Sequence, residues 1–304
     1  MSPAIASVML IATMACLAMN HVVGRAVHEV APPVGLSFWR WSVAAVLLVF
    51  FIRRGFAAKL PLYRRHWMLF VFLGAMMVGS TTLILWTLQF TTAINVSLIN
   101  SLQPTMTVLL TFLLLSHRLT GLQGFGILLG FVGVVAMVSQ GNWQMLTSLD
   151  FNRGDVGALV SVVGLAGYSI CLRWLPPGMH PLDATFGIIV GGCVAILPLY
   201  VAELAMFRPM PLTTATVGAV LAMGTIGSLA GNLMWNIGNQ VLGPNKASIF
   251  INLIPVFGML MAVVFLGEQP RVYHVIGFAV ICGGVWCVLA RRLIGAEATN
   301  IREN

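Results

Sequence analysis

Amides and hydroxyls recur in this chain at depths where charges would be too costly. Between Thr91 and Leu115 the apolar run TTAINVSLINSLQPTMTVLLTFLLL carries Ser97, Asn100, Gln103 and Thr107 at spacings of three, three and four. On an α-helix that spacing puts all four on one face. A second series, Ser228, Asn232, Asn236 and Asn239, runs at four, four and three, with Trp235 beside it. Thr82, Trp86 and Gln89 share a face in a third run, Asn20 and His21 stand together in a fourth, and Tyr168 lies in a fifth. Asn and Gln offer both donor and acceptor. A set of them suits a zwitterionic ligand, whose ammonium and carboxylate need opposite partners. The plainer reading is glue between helices, at about 0.6 kcal/mol per bond. The density of amides on these segments exceeds what glue requires.

Other side chains carry two readings each. Trp86, Trp235 and Tyr168 can stack on an apolar or aromatic group or on a cation, or sit in an interfacial aromatic belt. Arg40, about seven residues into an apolar segment, either snorkels outward or faces a cavity as a carboxylate anchor. His21 is a proton-coupling group, since an imidazole titrates near physiological pH, or a histidine at a helix end.

The acids matter by their positions. All eight Asp and Glu lie at or near the ends of apolar segments, so neither a carboxylate proton relay nor a sodium cage has an obvious centre. Facilitated diffusion, or coupling through His21, is the expectation. There is no H-E-x-x-H, P-loop or G-x-S-x-G motif, and no enzyme chemistry is expected. The five cysteines form no C-x-x-C pair, so no metal or cofactor is expected.

These residues need helices that cross a bilayer. Of 304 residues, 59% are hydrophobic and 8% charged, against about 25% charged in soluble domains. Ten apolar segments run roughly 3–23, 34–53, 66–89, 92–115, 120–139, 154–174, 182–205, 214–239, 245–266 and 271–291, near the ~20 residues a span requires. The first lacks a basic flank and exceeds a signal-peptide core, so it reads as a retained helix. With the N-terminus inside, eleven Lys and Arg fall on the inner side and four on the outer. Both termini are therefore expected in the cytoplasm. The net charge of +8 reflects that bias. No basic folded face for nucleic acid is expected.

The polar, proline-bearing run returns 151 positions later. Pro244 to Leu266 places Pro255 where Pro104 was and Ser248 where Ser97 was, with Asn252 at the position of Ser101. Five spans per half is an odd number, so the second half enters the membrane from the opposite side. The expected fold is an all-α membrane protein of ten transmembrane helices, in two inverted five-helix repeats at 1–150 and 151–304. Bent helices at matching positions of two halves point to a transport site near the midplane. Pro104 and Pro255 are the expected hinges, and Asn20, His21, Arg40, Thr82, Trp86, Ser97, Asn100, Gln103, Tyr168, Asn232, Trp235, Asn236, Ser248 and Asn252 the expected ligand contacts. Glycines at 126, 130 and 133, and at 187 and 191, read as close helix contacts.

The local motifs fit one family. Asn20-x-x-x-Gly24-Arg25 ends the first segment. Pro33-x-x-x-Ser37-Phe38-x-Arg40-Trp41 opens the second. Ala93-x-x-x-Ser97-Leu98-Ile99 precedes Pro104, Ala247-Ser248-x-x-x-Asn252 precedes Pro255, and Gly267-Glu268 ends the ninth. Over nearly its whole length the chain resembles the EamA-type carriers of the drug/metabolite transporter superfamily, with some likeness to bacterial aromatic amino-acid or metabolite exporters. It departs at His117, where relatives often carry an acid. The resemblance implies a secondary carrier of the bacterial inner membrane, working as a monomer or homodimer among lipids. The expected substrate is a small neutral or zwitterionic metabolite, a bulky amino acid above all, and export is the expected direction. The alternatives are drug-like or other organic metabolites, then a channel or a membrane enzyme.

Overall fold

The computed structural model describes residues 2–53, 56–115, 120–139, 152–176, 178–206, 209–242 and 250–300. Regular structure among these is entirely helical. In chain order the helices are α1 (Pro3–Ala26), α2 (Pro33–Ile52), α3 (Phe56–Arg65), α4 (Trp67–Thr87), α5 (Ala93–Asn100), α6 (Gln103–Leu115), α7 (Gly121–Val138), α8 (Arg153–Cys171), α9 (Pro181–Met206), α10 (Thr214–Ala222), α11 (Gly231–Leu242), α12 (Leu253–Leu266) and α13 (Val272–Asn300). A π-helical stretch, Met223–Ala230, joins α10 to α11, and short 3₁₀ turns follow α8 and precede α12.

Six helical stretches are long and apolar enough to cross a membrane. The α5–α6 pair passes the same test together, bent by 43°, and three shorter apolar helices are Gly121–Ala136, Phe250–Leu266 and Val272–Cys287. The chain is a multi-pass membrane protein. The sequence did not anticipate α3, a short helix in the basic loop. It is anchored by Lys59, whose Nζ lies 2.6 Å from Asp183 Oδ2, and by Tyr63, whose hydroxyl donates to the Asp183 carbonyl at 3.3 Å.

Helix starts are protected as an apolar medium demands, because free N–H groups have no water to turn to. Ser2, Thr92, Asn152 and Thr213 cap α1, α5, α8 and α10. Two acids cap from a distance. Glu203, near the end of α9, accepts from Val34 N at 3.1 Å and Gly35 N at 2.6 Å in the first turn of α2. Glu268, just past α12, accepts from Ala93 N at 3.0 Å and Ile94 N at 3.1 Å in the first turn of α5.

The prolines act just upstream of their own positions. A proline has no N–H and clashes with the carbonyl four residues back, but is tolerated in a first turn. The chain therefore breaks at Ser101–Leu102 and restarts α6 at Gln103, with Pro104 second. Before Pro255 it forms a 3₁₀ turn, Phe250–Asn252, and restarts as α12.

The tightest helix contacts run through glycine. A Cβ on Gly74 of α4 would land on Gly192 N and Ile188 O of α9. A Cβ on Gly284 of α13 would lie 2.6 Å from Gly126 O and 2.7 Å from Gly130 N of α7. α7 and α13 pack mainly on each other, at the margin of the bundle. α1, α2, α4, α8, α9 and α12 surround its centre.

Candidate functional site

A cavity of about 520 Å³ lies at that centre, within the usual range for small-molecule sites,. Its polar wall comes from both halves of the chain. Asn20 and His21 project from α1, Arg40 from α2, Asn100 and Gln103 from the α5–α6 break, Tyr168 from α8, and Asn232 and Trp235 from α11. Pro104 and Thr107 are also in the wall. Met14, Leu17, Met77, Leu165 and Ile254 supply its apolar part.

His21 is held from two sides. Its Nδ1 lies 2.9 Å from Ser97 Oγ, and its Nε2 lies 3.2 Å from Asn100 Nδ2. An amide nitrogen only donates, so Nε2 accepts and the ring proton sits on Nδ1, directed at Ser97. The imidazole is neutral in this arrangement. Ser97 is fully buried behind His21 and is not in the wall. Gly258 of α12 comes so close to Ser97 that a Cβ there would overlap its hydroxyl.

Arg40 is 3% exposed, so it does not snorkel. Its guanidinium carbon stands 5.0 Å from the centroid of the Trp41 ring, within cation–π range. Its Nε is buried without a hydrogen-bond partner. Among the described residues no carboxylate lies within ion-pair distance of it, and no Asp or Glu lines the cavity.

Buried polar atoms without partners gather here. Besides Arg40 Nε they include Asn20 Oδ1, Ser228 Oγ and Asn252 Oδ1, with Thr105 Oγ1 the one other such atom among the described residues. Asn20 and Ser228 line the cavity, and Asn252 lies between Ile251 and Ile254, which do. The π-helical stretch carries Gly227 against the Asn20 amide, where a Cβ would overlap it, and places Ser228 in the wall. Such π segments recur at functional sites.

The remaining sequence candidates go elsewhere. Thr82 bonds to Val78 O and to Ser37 Oγ, each at 2.7 Å, in the α2–α4 contact. Trp86 is 37% exposed and stacks obliquely on Phe90. Ser248 lies outside the described residues, as does the side chain of Asn236. Sequence reasoning missed Trp41, Met77, Thr81, Ser169 and Thr185, all in the wall. Met77, Thr81 and Leu85 share one face of α4, but this helix is apolar all round, and the adjacent Thr82 pointed to the wrong face.

The cavity is lopsided along the bundle. Its wall reaches Leu172 and Thr185, where α8 stops and α9 starts. It includes no residue of the α1–α2, α4–α5 or α12–α13 connections. That opposite end is tied by polar contacts. Thr91 Oγ1 donates to Asp155 Oδ1 at 2.6 Å, Asn95 Nδ2 lies 3.3 Å from the same oxygen, and His274 Nε2 lies 2.9 Å from Asn95 Oδ1. Arg25 Nη1 donates to Leu88 O at 2.6 Å.

The model of the EamA-like transporter family matches residues 4–139 and again residues 152–290. The chain belongs to the EamA-like transporter family. Among relatives of this EamA-like protein, the uncharacterized transporter YyaM of Bacillus subtilis (strain 168) is 28% identical over 257 residues, which is 83% of each chain. YetK of the same organism, also an uncharacterized transporter, is 26% identical over 94% of this chain and 87% of its own. A probable terminal-alkyne amino-acid exporter of Streptantibioticus cattleyicolor is 25% identical over 85% of this chain and 84% of its own. A protein of known crystal structure shares the fold, with a TM-score of 0.60 at 22% identity over 94% of this chain and 98% of that one. The family and its named members make this EamA-like protein a transporter rather than an enzyme.

Proposed function

We propose that this EamA-like transporter is a secondary carrier that moves small neutral or zwitterionic metabolites, bulky amino acids among them, across the inner membrane by alternating access. The observation that carries this reading is the central cavity, walled by amides, hydroxyls and aromatic rings from both halves of the chain. Asn20, His21, Arg40, Asn100, Gln103, Tyr168, Asn232 and Trp235 are its proposed substrate contacts. The amino-acid class and outward direction are supported by the exporter from Streptantibioticus cattleyicolor. The apolar part of the wall favours, as a second reading, a drug-like or other organic metabolite.

The six long helical stretches, the bent pair and the three shorter helices together are read as ten spans in two inverted repeats, 1–150 and 151–304. The pattern of helix contacts supports this, because it nearly survives exchange of the halves. α4 packs on α9 as the π stretch packs on α2. α4 packs on α8 as α11 packs on α1, and α6 on α8 as α12 on α1. α2 with α9, α5 with α12 and α7 with α13 are then counterparts in contact.

With the termini in the cytoplasm, the α8–α9 end is the cytoplasmic one, and this structure is the inward-facing state. Movement of the halves about the breaks before Pro104 and Pro255 would expose the cavity to the other side. Pro104→Ala and Pro255→Ala restore an N–H and remove the clash that breaks each helix. Each is expected to lower turnover severalfold in proteoliposomes. Unchanged flux in both would remove the hinges. Ser97→Ala deprives the His21 Nδ1 proton of its acceptor, a loss of about 1 kcal/mol. Substrate affinity should fall about fivefold without loss of folded protein. Uptake and counterflow of a panel of amino acids, drugs and phosphate esters into liposomes test the carrier itself. Saturable counterflow is expected, and flux that never saturates would mean a channel.

A further inference from the structure

Arg40 poses a problem that the carrier reading leaves open. A guanidinium cannot discard its charge, and a buried charge without a counter-ion is strongly unfavourable. Trp41 spreads that charge over its ring face, but a ring accepts no directed hydrogen bond as strong as a carboxylate does. No acid lies within ion-pair distance among the described residues. His21 is neutral by its hydrogen bonds, so Arg40 is the single fixed charge in the described wall. The described wall therefore carries one positive charge.

We infer that the occupant is recognised by a carboxylate paired with Arg40, and that a free ammonium is dispensable, so small organic monoanions bind at least as well as zwitterions. This rests on the cavity being the substrate site. The guanidinium offers a planar fork of donors that a carboxylate meets with both oxygens. An ammonium would find no carboxylate in the described wall, only amide and hydroxyl oxygens and ring faces, and would sit beside a charge of its own sign. A zwitterion leaves the positive charge uncancelled in total, whereas a monoanion neutralises it. The apolar body of the ligand would lie along Met14, Leu17, Met77 and Trp235.

Three probes of one shape separate the possibilities: phenylalanine, N-acetylphenylalanine and phenylalaninamide. Binding to the purified protein is measured by calorimetry, and flux in proteoliposomes. N-acetylphenylalanine is expected to bind as tightly as phenylalanine or tighter, and phenylalaninamide about tenfold or more weakly. Arg40→Gln should abolish that preference, and Arg40→Lys should keep its direction, as a point charge without the fork. Phenylalaninamide binding as well as the acetylated acid overturns the inference, as does the absence of binding by all three. Preferential binding of the acids with no flux leaves the inference standing and refutes the carrier reading instead.

Discussion

Gly74→Val is expected to leave little folded protein. Gly74 brings α4 against α9 so closely that even a Cβ would land on backbone atoms, Gly192 N and Ile188 O. Backbone atoms in packed helices have no rotamer to retreat to, unlike a clash with a side-chain tip. The reciprocal contacts are equally tight. A Cβ on Gly191 would overlap Phe70 O, and one on Gly192 would overlap Val78. Three further carbons can be housed only if the helices separate, and in lipid close packing is a main source of helix association. Overpacking alone costs about 3 kcal/mol. Separation of this pair adds to that, because Leu73, Met77, Ile188 and Ile189 are buried in the same cluster. Thermal unfolding in detergent should fall by about 10 °C or more, with loss of the monodisperse species in size-exclusion chromatography. Gly79 is the control. It lies on the same helix, and a Cβ there meets nothing within 4 Å. Gly79→Ala should unfold at the parental temperature or slightly above, since Ala is the better helix former. Equal losses in the two variants would refute the close-contact account.

Asp155→Leu should loosen the end of the bundle where α4 meets α5. Asp155 is 1% exposed at the start of α8. One of its oxygens receives the Thr91 hydroxyl and the Asn95 amide, and Asn95 in turn meets His274 at the start of α13. Leucine keeps the branched outline but removes the acceptor, so the buried Thr91 hydroxyl loses its partner, while the Asn95 amide keeps only Thr91 Oγ1 at 3.1 Å. An average interhelical bond in a membrane contributes about 0.6 kcal/mol. Stranding a buried donor costs more, about 1–3 kcal/mol, and that larger figure governs here. The expected loss is about 2 kcal/mol, or about 6 °C in the unfolding midpoint. It should be accompanied by faster hydrogen exchange at the first amides of α5, which Glu268 holds from α12. Asp155→Asn keeps an oxygen acceptor and should recover most of the loss. Exchange at α5 unaltered by Asp155→Leu would mean that the cluster is incidental to the closure of that end.

How much of this was legible beforehand follows from what each signal depends on. Length and apolarity of a span are local properties, because the bilayer sets a length and every backbone group must be bonded within its own helix. The segment boundaries read from the chain therefore fall within a few residues of the helices, except where 271–291 continues to Asn300; the start of 245–266 lies outside the described residues. The proline breaks were equally local, since the clash lies within four residues of the ring. Amide periodicity pointed to Asn100, Gln103 and Asn232, which do share a cavity wall.

Which face of an apolar helix turns inward is another matter. On α4 the pattern offered two adjacent threonines. Only the packing of α4 on α2 and α9 sent Thr82 to Ser37 and Thr81 to the cavity. Trp86 packs one part of its ring on Gly157 of α8 and leaves the rest exposed, away from the cavity. The sequence by itself determined a membrane-spanning helical chain with a polar, proline-broken helix in each half, because spacing and backbone chemistry act within a few residues. The tertiary structure alone decided that Arg40 is buried with no acid beside it among the described residues, that His21 is clamped between Ser97 and Asn100, and that Asp155 ties one end shut. Those facts depend on distances between side chains up to 179 positions apart, and no local periodicity encodes them.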